Sequence, residues 1–150
     1  MMNICLRYTK NDADAVEVLN NGFYKVFKNI HTYTPGKAGA YTWIRTIVIN
    51  TCLNFVRSKQ NDIVSAGEVA ERDEPPIHPD VIARLNSAEI LRLVQLLPPA
   101  TQAVFNLFAI DGFTHREIAG MLQISEGTSK WHVSEARKCL QQQLKSLYVI

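Results

Sequence analysis

The segment from 60 to 80, QNDIVSAGEVAERDEPPIHPD, constrains this chain most. Pro75-Pro76 and Pro79 remove backbone donors and fix φ, so no helix or central strand runs through it. Its charge sets it apart as well. It holds six Asp and Glu against one Arg, whereas residues 1–59 hold eight Lys and Arg against three Asp and Glu, and residues 81–150 seven against five. An acidic, proline-containing strip between two basic blocks reads as a linker, which predicts domains at 1–59 and 81–150. Basic blocks suit a polyanionic partner, with ordinary surface charge as the plainer reading.

Each flanking block is apolar enough to build a core, since 47% of the chain is hydrophobic. No apolar run nears the ~20 residues of a membrane span, and MMNICLRYTK lacks the apolar stretch of a signal peptide. The expectation is a cytoplasmic protein. Cys5, Cys52 and Cys139 are odd in number and far apart, unlike a zinc site or a disulfide framework, and read as buried thiols. His31, His78, His115 and His132 are scattered, and Asp73-Glu74 lie in the linker. Neither a metal centre nor a carboxylate pair on rigid elements emerges, so no enzyme, cofactor or small-molecule substrate is expected.

The first block predicts two helices. From Asp12 to Ile30, with Asp12 or Asp14 as cap, Ala15, Val18, Leu19, Phe23, Val26, Phe27 and Ile30 recur at helical spacing. Pro35-Gly36 marks a turn in the loop that follows. From Ala40 to Lys59 a longer pattern contains Trp43, Ile44, Ile47, Val48, Leu53 and Phe55. Its β-branched run TIVINT makes a strand the competitor, and the pattern's length favours helix. Trp43 is expected between the two helices.

The second block predicts four helices, over Asp80–Leu97, Pro99–Ile110, Thr114–Leu122 and Ser125–Leu147. Thr114 and Glu117 have the spacing of a capping box. Gln123-Ile124-Ser125 forms a three-residue turn, and Ser125 caps the last helix. Gln123 stands where a turn often has Gly, at a cost of about 1 kcal/mol if its backbone is left-handed. Ile118, Ala119, Leu122 and Ile124 set the helix crossing, and Val133, Ala136 and Leu140 continue the buried stripe. Ser129, Lys130, Trp131, His132 and Ser134 are expected on the open face, although Ser129 occupies a position where an apolar residue commonly packs. A helix-turn-helix places such a face in the major groove. A helical hairpin that binds no DNA is the plainer alternative. Lys130 reads equally as a DNA contact or a solvated lysine, and Trp131 as a DNA contact or core. Arg137 and Lys138 suit phosphates better than bases. The fold class is therefore all-α: two small helical domains joined by an acidic Pro-containing linker, the C-terminal one a helix-turn-helix four-helix domain.

The stretch LPPATQAVFNLFAIDGFTHREIAGMLQISEGTSKWHVSEARKCLQQQL, with its Leu-Pro start, Asp111-Gly112-Phe113-Thr114, Glu117-Ile118-Ala119 and Gly127-Thr128 before Lys130, resembles the C-terminal domain of an extracytoplasmic-function (ECF) sigma factor. DADAVEVLNNGFYKVFKNI resembles that family's polymerase-docking helix, and AYTWIRTIVINTCLNFVRSK its promoter-melting helix. The resemblance implies a protein that binds core RNA polymerase and directs promoter recognition and transcription initiation. A stand-alone helix-turn-helix regulator, using residues 81–150 as a dimer, is the alternative.

Asp14, Glu17, Asn20 and Phe23 are implied to contact the clamp helices of the polymerase beta-prime subunit, and the beta flap is a further implied contact. Asp14 and Glu17 equally suit the positive end of a helix. The loop Thr32–Gly39 would take an unstacked base of the minus-ten element. Tyr33 supplies the stacking surface and Lys37 the charge that single-strand readers need; Tyr33 closing over the core is the alternative. Asn50 would bond the same DNA, and Arg45, Arg57 and Lys59 its phosphates. Thr128, Ser129, Lys130, Trp131, His132, Ser134 and Arg137 would read or flank the minus-thirty-five element as duplex. The acidic linker would thread the RNA-exit path, and a membrane-linked anti-sigma factor is an implied partner. The family pattern has a further long helix before RYTKN, of which MMNICLRY resembles the end, so the expectation is an N-terminally truncated first domain lacking one wall.

Overall fold

The β-branched run Thr46–Thr51 is helical. It lies inside a 19-residue helix in the computed structural model, which describes residues 1–59 and 86–148. Burial explains why propensity loses here, because Val48, Ile49, Thr51, Cys52 and Leu53 all pack inward on one side. Thr46 and Thr51 turn their hydroxyls back onto the carbonyls of Thr42 and Ile47, at 2.9 and 2.8 Å, so no polar group is stranded. Among the described residues there is no strand.

The chain divides into two compact units, Met1–Asn61 and Asp62–Ile150. The expected linker at 60–80 and the expected helix start at Asp80 lie outside the described residues.

The first unit contains α1 (Met2–Tyr8), α2 (Asp12–Lys28), a 3-10 turn (Ile30–Thr32) and α3 (Ala40–Ser58). All three helices pack on one another. The cap of α2 is Asn11, one residue earlier than expected. Its extended backbone lets the side-chain oxygen accept from the Asp14 amide at 2.8 Å. Asp12 and Asp14 instead occupy the first turn, where their charge meets the positive helix end. Ala15, Val18, Gly22 and Val26 form the buried stripe of α2. Gly22 permits a close crossing: a Cβ there would stand 3.2 Å from Val48 Cγ2. Phe23 is half-buried, while Val16, Phe27 and Ile30 face outward, with Phe27 72% exposed. Thus α2 carries two apolar stripes, and periodicity alone does not say which one is covered. From α1, Ile4, Cys5 and Tyr8 complete the core.

The second unit contains α4 (Ser87–Gln95), α5 (Pro99–Phe105), α6 (His115–Leu122) and α7 (Glu126–Tyr148). Helix α4 starts on a capping box, in which Asn86 and Glu89 exchange bonds of 2.9 and 2.8 Å. Pro99 holds the first turn of α5, where its missing N–H costs nothing. Helix α5 continues through a π-turn, Asn106–Ile110, closed by the Asp111 amide on the Asn106 carbonyl at 2.9 Å. Gly112, at φ 80°, then reverses the chain. Val94, Leu97 and Ala136 form a cluster with Phe105, Cys139 and Leu140 against it. Val104, Leu107, Ile118, Leu122 and Val133 are also buried.

Candidate nucleic-acid interface

The second unit presents a helix-turn-helix in α6 and α7. Thr114 and Glu117 form the expected capping box: the Glu117 amide donates to Thr114 Oγ1 at 3.3 Å, and the Thr114 amide to Glu117 Oε2 at 2.8 Å. Hydrogen bonds from the Thr114 amide and then its hydroxyl hold the Glu117 carboxyl below its usual range. Gln123 does adopt the left-handed conformation, at φ 57° and ψ 43°. Ser125 then begins α7, its Oγ accepting from the Thr128 amide at 2.9 Å and its carbonyl from the Ser129 amide at 3.0 Å.

The seven residues of α7 implied to read or flank DNA point in three directions. Lys130, Ser134 and Arg137, at helical spacing i, i+4, i+7, line one groove of about 540 Å³ together with Gly127, His115 and Phe108. Lys130 and Arg137 are exposed and Ser134 is half-buried. Thr128 and Trp131 are half-buried and do not line that groove, and the Trp131 ring meets the His132 ring edge-on at 4.9 Å.

Ser129 and His132 point inward, which corrects their assignment to DNA. Ser129 is 0% and His132 4% exposed. Each is polar yet buried because a neighbouring helix supplies its partner. His115 Nδ1 lies 2.9 Å from Ser129 Oγ, and Thr101 Oγ1 lies 3.0 Å from His132 Nδ1. Burial pushes the pKa of both imidazoles down; Lys130 and Arg137 add to this at His115, while Glu126 opposes it there and Glu135 opposes it at His132.

His115 is the residue that sequence reasoning missed. It stacks on Phe108 at 4.4 Å and 15° and lines the same groove as Lys130. Its place at the first position of α6, just after a capping threonine, was the available signal.

In the first unit, Glu17 and Asn20 are exposed on α2, Phe23 is half-buried, and Asp14 takes an ion pair from Lys59 at 3.3 Å. The Lys59 ammonium also lies 4.9 Å from the centre of the Phe55 ring. Tyr33 is half-buried against Trp43, ring centres 5.4 Å apart, and its hydroxyl donates to the Ala38 carbonyl at 3.3 Å. The loop that holds Lys37 is thereby folded over the start of α3. Lys37, Asn50 and Arg57 are exposed and Arg45 is half-buried. Among the described residues, no cluster of three or more His, Cys, Asp or Glu stands ready for a metal ion, and no helix is long and apolar enough to cross a membrane.

Comparison with known proteins accounts for both units at once. Residues 1–61 match Sigma-70 region 2, and residues 87–140 match Sigma-70, region 4. The chain belongs to the sigma-70 family. It is 25% identical to the ECF RNA polymerase sigma factor SigW of Bacillus subtilis (strain 168), over 96% of this chain and 82% of the relative. It is 24% identical to the ECF RNA polymerase sigma-E factor of Haemophilus influenzae, over 94% and 79% of the two chains. In fold it is similar to the sigma factor RpoE from Bartonella quintana, solved in complex with the anti-sigma factor NepR; the TM-score is 0.63 and the identity 21%, over 96% of this chain and 89% of the other. This protein is therefore an RNA polymerase sigma factor of the ECF group. Region 2 falls on the first unit and region 4 on the second, and a stand-alone helix-turn-helix regulator does not require the former.

Proposed function

We propose that this sigma factor fastens to core RNA polymerase through Asp14, Glu17, Asn20 and Phe23 on α2, with the beta-prime clamp helices as receptor. Four observations support it. Glu17 and Asn20 are open to solvent, and the half-buried Phe23 leads into an exposed apolar stretch at Phe27 and Ile30. Asp14 is held only by an exposed ion pair and a cap contact, both of which a partner readily replaces.

Tyr33 and Lys37 then take an unstacked promoter base, Asn50 bonds the same strand, and Arg45 and Arg57 meet phosphates. The duplex is read by Lys130, Ser134 and Arg137, with Thr128 and Trp131 on the flank. The single observation that carries this last part is the alignment of Lys130, Ser134 and Arg137 along one open groove of α7. Binding free energy spent on unstacking bases does the work, with no covalent step on the sigma factor itself. The sigma factor acts in the cytoplasm, residues 60–80 tether its two domains, and a protein of the anti-sigma class covers these faces when the factor is idle.

The test is affinity for core polymerase, read by fluorescence anisotropy on labelled chain. Glu17→Ala weakens binding by about tenfold or more while thermal stability stays within about 0.5 kcal/mol, because Glu17 is exposed; Asp14→Ala weakens binding similarly and also loses about 1 kcal/mol of stability with its ion pair and helix-end charge. Wild-type affinity in both variants contradicts the assignment.

A further inference from the structure

Cys5 on α1 and Cys52 on α3 are buried to 0% exposure, carry no disulfide, and meet where these two helices pack. The Cys52 thiol hydrogen-bonds the Cys5 sulfur. Promoter recognition and polymerase docking use neither residue. We propose that Cys5 and Cys52 form an oxidation site, at which a peroxide converts two touching thiols into a reversible disulfide joining α1 to α3.

Both thiols are fully buried on helices that pack against each other, with the Cys52 thiol against the Cys5 sulfur, which is the juxtaposition a disulfide needs. The contact with Cys52 also lowers the pKa of Cys5 despite burial, which marks Cys5 as the attacking thiolate. The steps balance. Cys5 sulfur attacks one peroxide oxygen, the O–O bond breaks, and hydroxide leaves and is protonated to water. The resulting sulfenic acid is then attacked by Cys52 sulfur; the S–S bond forms and a second water departs. Two thiols are oxidised and one peroxide is reduced. Access comes through transient opening of α1, a seven-residue helix.

Cys139 behaves differently. It stands on α7 in the other unit, its thiol donates to Glu135 Oε1 at 3.8 Å, and burial followed by the Glu135 charge pushes its pKa up. It is the weaker nucleophile and has no second cysteine beside it among the described residues.

The bond closes a loop that contains all of α2 and about two-thirds of α3, so it restrains the unfolded first unit. In a reducing compartment such a bond forms only under oxidant and is reversed by thiol exchange. The sigma factor would therefore hold its polymerase-binding module most firmly when peroxide is present.

The experiment treats the full chain with a few equivalents of hydrogen peroxide, quenches, and analyses it unreduced by intact mass, thiol titration and peptide mapping. The expected product is a monomer lighter by about 2 Da. The three thiols of the chain fall to one, and a cross-linked peptide pair contains Cys5 and Cys52. The melting temperature rises by about 10 °C and returns on reduction. Cys139→Ser leaves this product unchanged. Oxygen addition at Cys5 or Cys52 without a cross-link, a dimer through Cys139 with the other two thiols intact, or three surviving thiols each overturns the proposal.

Discussion

His115 Nδ1 and Ser129 Oγ lie 2.9 Å apart, joining the first turn of α6 to the first turn of α7 across the helix-turn-helix. The bond ties α6 to α7 one residue before Lys130. Ser129 stands at a position where most such helices bury an apolar group, and the imidazole makes a hydroxyl acceptable there. Ser129→Ala removes that partner and leaves a half-buried ring nitrogen without it. The expected loss is about 1–2 kcal/mol in the urea unfolding of the second unit. A matching fall in DNA affinity at temperatures where the variant is fully folded would show that the bond also orients α7.

Acid weakens the second unit. Burial holds His115 and His132 below the ordinary histidine pKa, so the unfolded chain binds protons that the folded chain refuses. Stability is full above the unfolded value near ~6.5 and is lost as pH falls from there through the folded values. Urea midpoints between pH 8 and pH 5 are expected to be flat at first and then to decline. In His132→Asn the midpoint is lower at pH 8 but declines less towards pH 5. An unchanged slope in that variant removes His132 from the effect.

Gln123 is the only residue other than glycine with positive φ among the described residues, and its side chain is exposed. Gln123→Gly relieves the left-handed strain at the cost of some unfolded-chain entropy. The net expectation is a gain of about 0.5–1 kcal/mol, seen as a higher melting temperature with unchanged DNA affinity.

Gly22 sets the spacing of α2 and α3, since a Cβ there already meets Val48 Cγ2 at 3.2 Å. Gly22→Val adds two further carbons at that crossing. It is expected to destabilise the first unit by about 1–3 kcal/mol in chemical denaturation and to weaken polymerase binding indirectly.

These cases show what the sequence makes legible. Helix type, the Thr114–Glu117 box, the Pro99 start of α5 and the left-handed Gln123 all follow from local rules, because each depends on residues a few positions apart. The cap of α4 is equally local, since Asn86 and Glu89 have capping-box spacing. The burial of Ser129 and His132 was not legible. Their partners, His115 and Thr101, come from other helices, so a polar residue reads as exposed until its mate is placed. The two apolar stripes of α2 were ambiguous for the same reason, since Val48 decides which one is covered. The π-turn at Asn106–Ile110 has no marker residue.

Run-off transcription tests the central claim most directly: that α2 holds polymerase while the Lys130, Ser134 and Arg137 face of α7 selects the promoter. Core polymerase with this chain is offered a pool of templates with randomised upstream sequence, and the transcripts are sequenced. The account predicts a shared upstream motif in the transcribed templates. With Lys130→Ala or Arg137→Ala it predicts roughly tenfold less transcript from that motif, with core polymerase affinity unchanged. Transcripts with no enriched motif, or both variants transcribing the motif at the wild-type level, would contradict it.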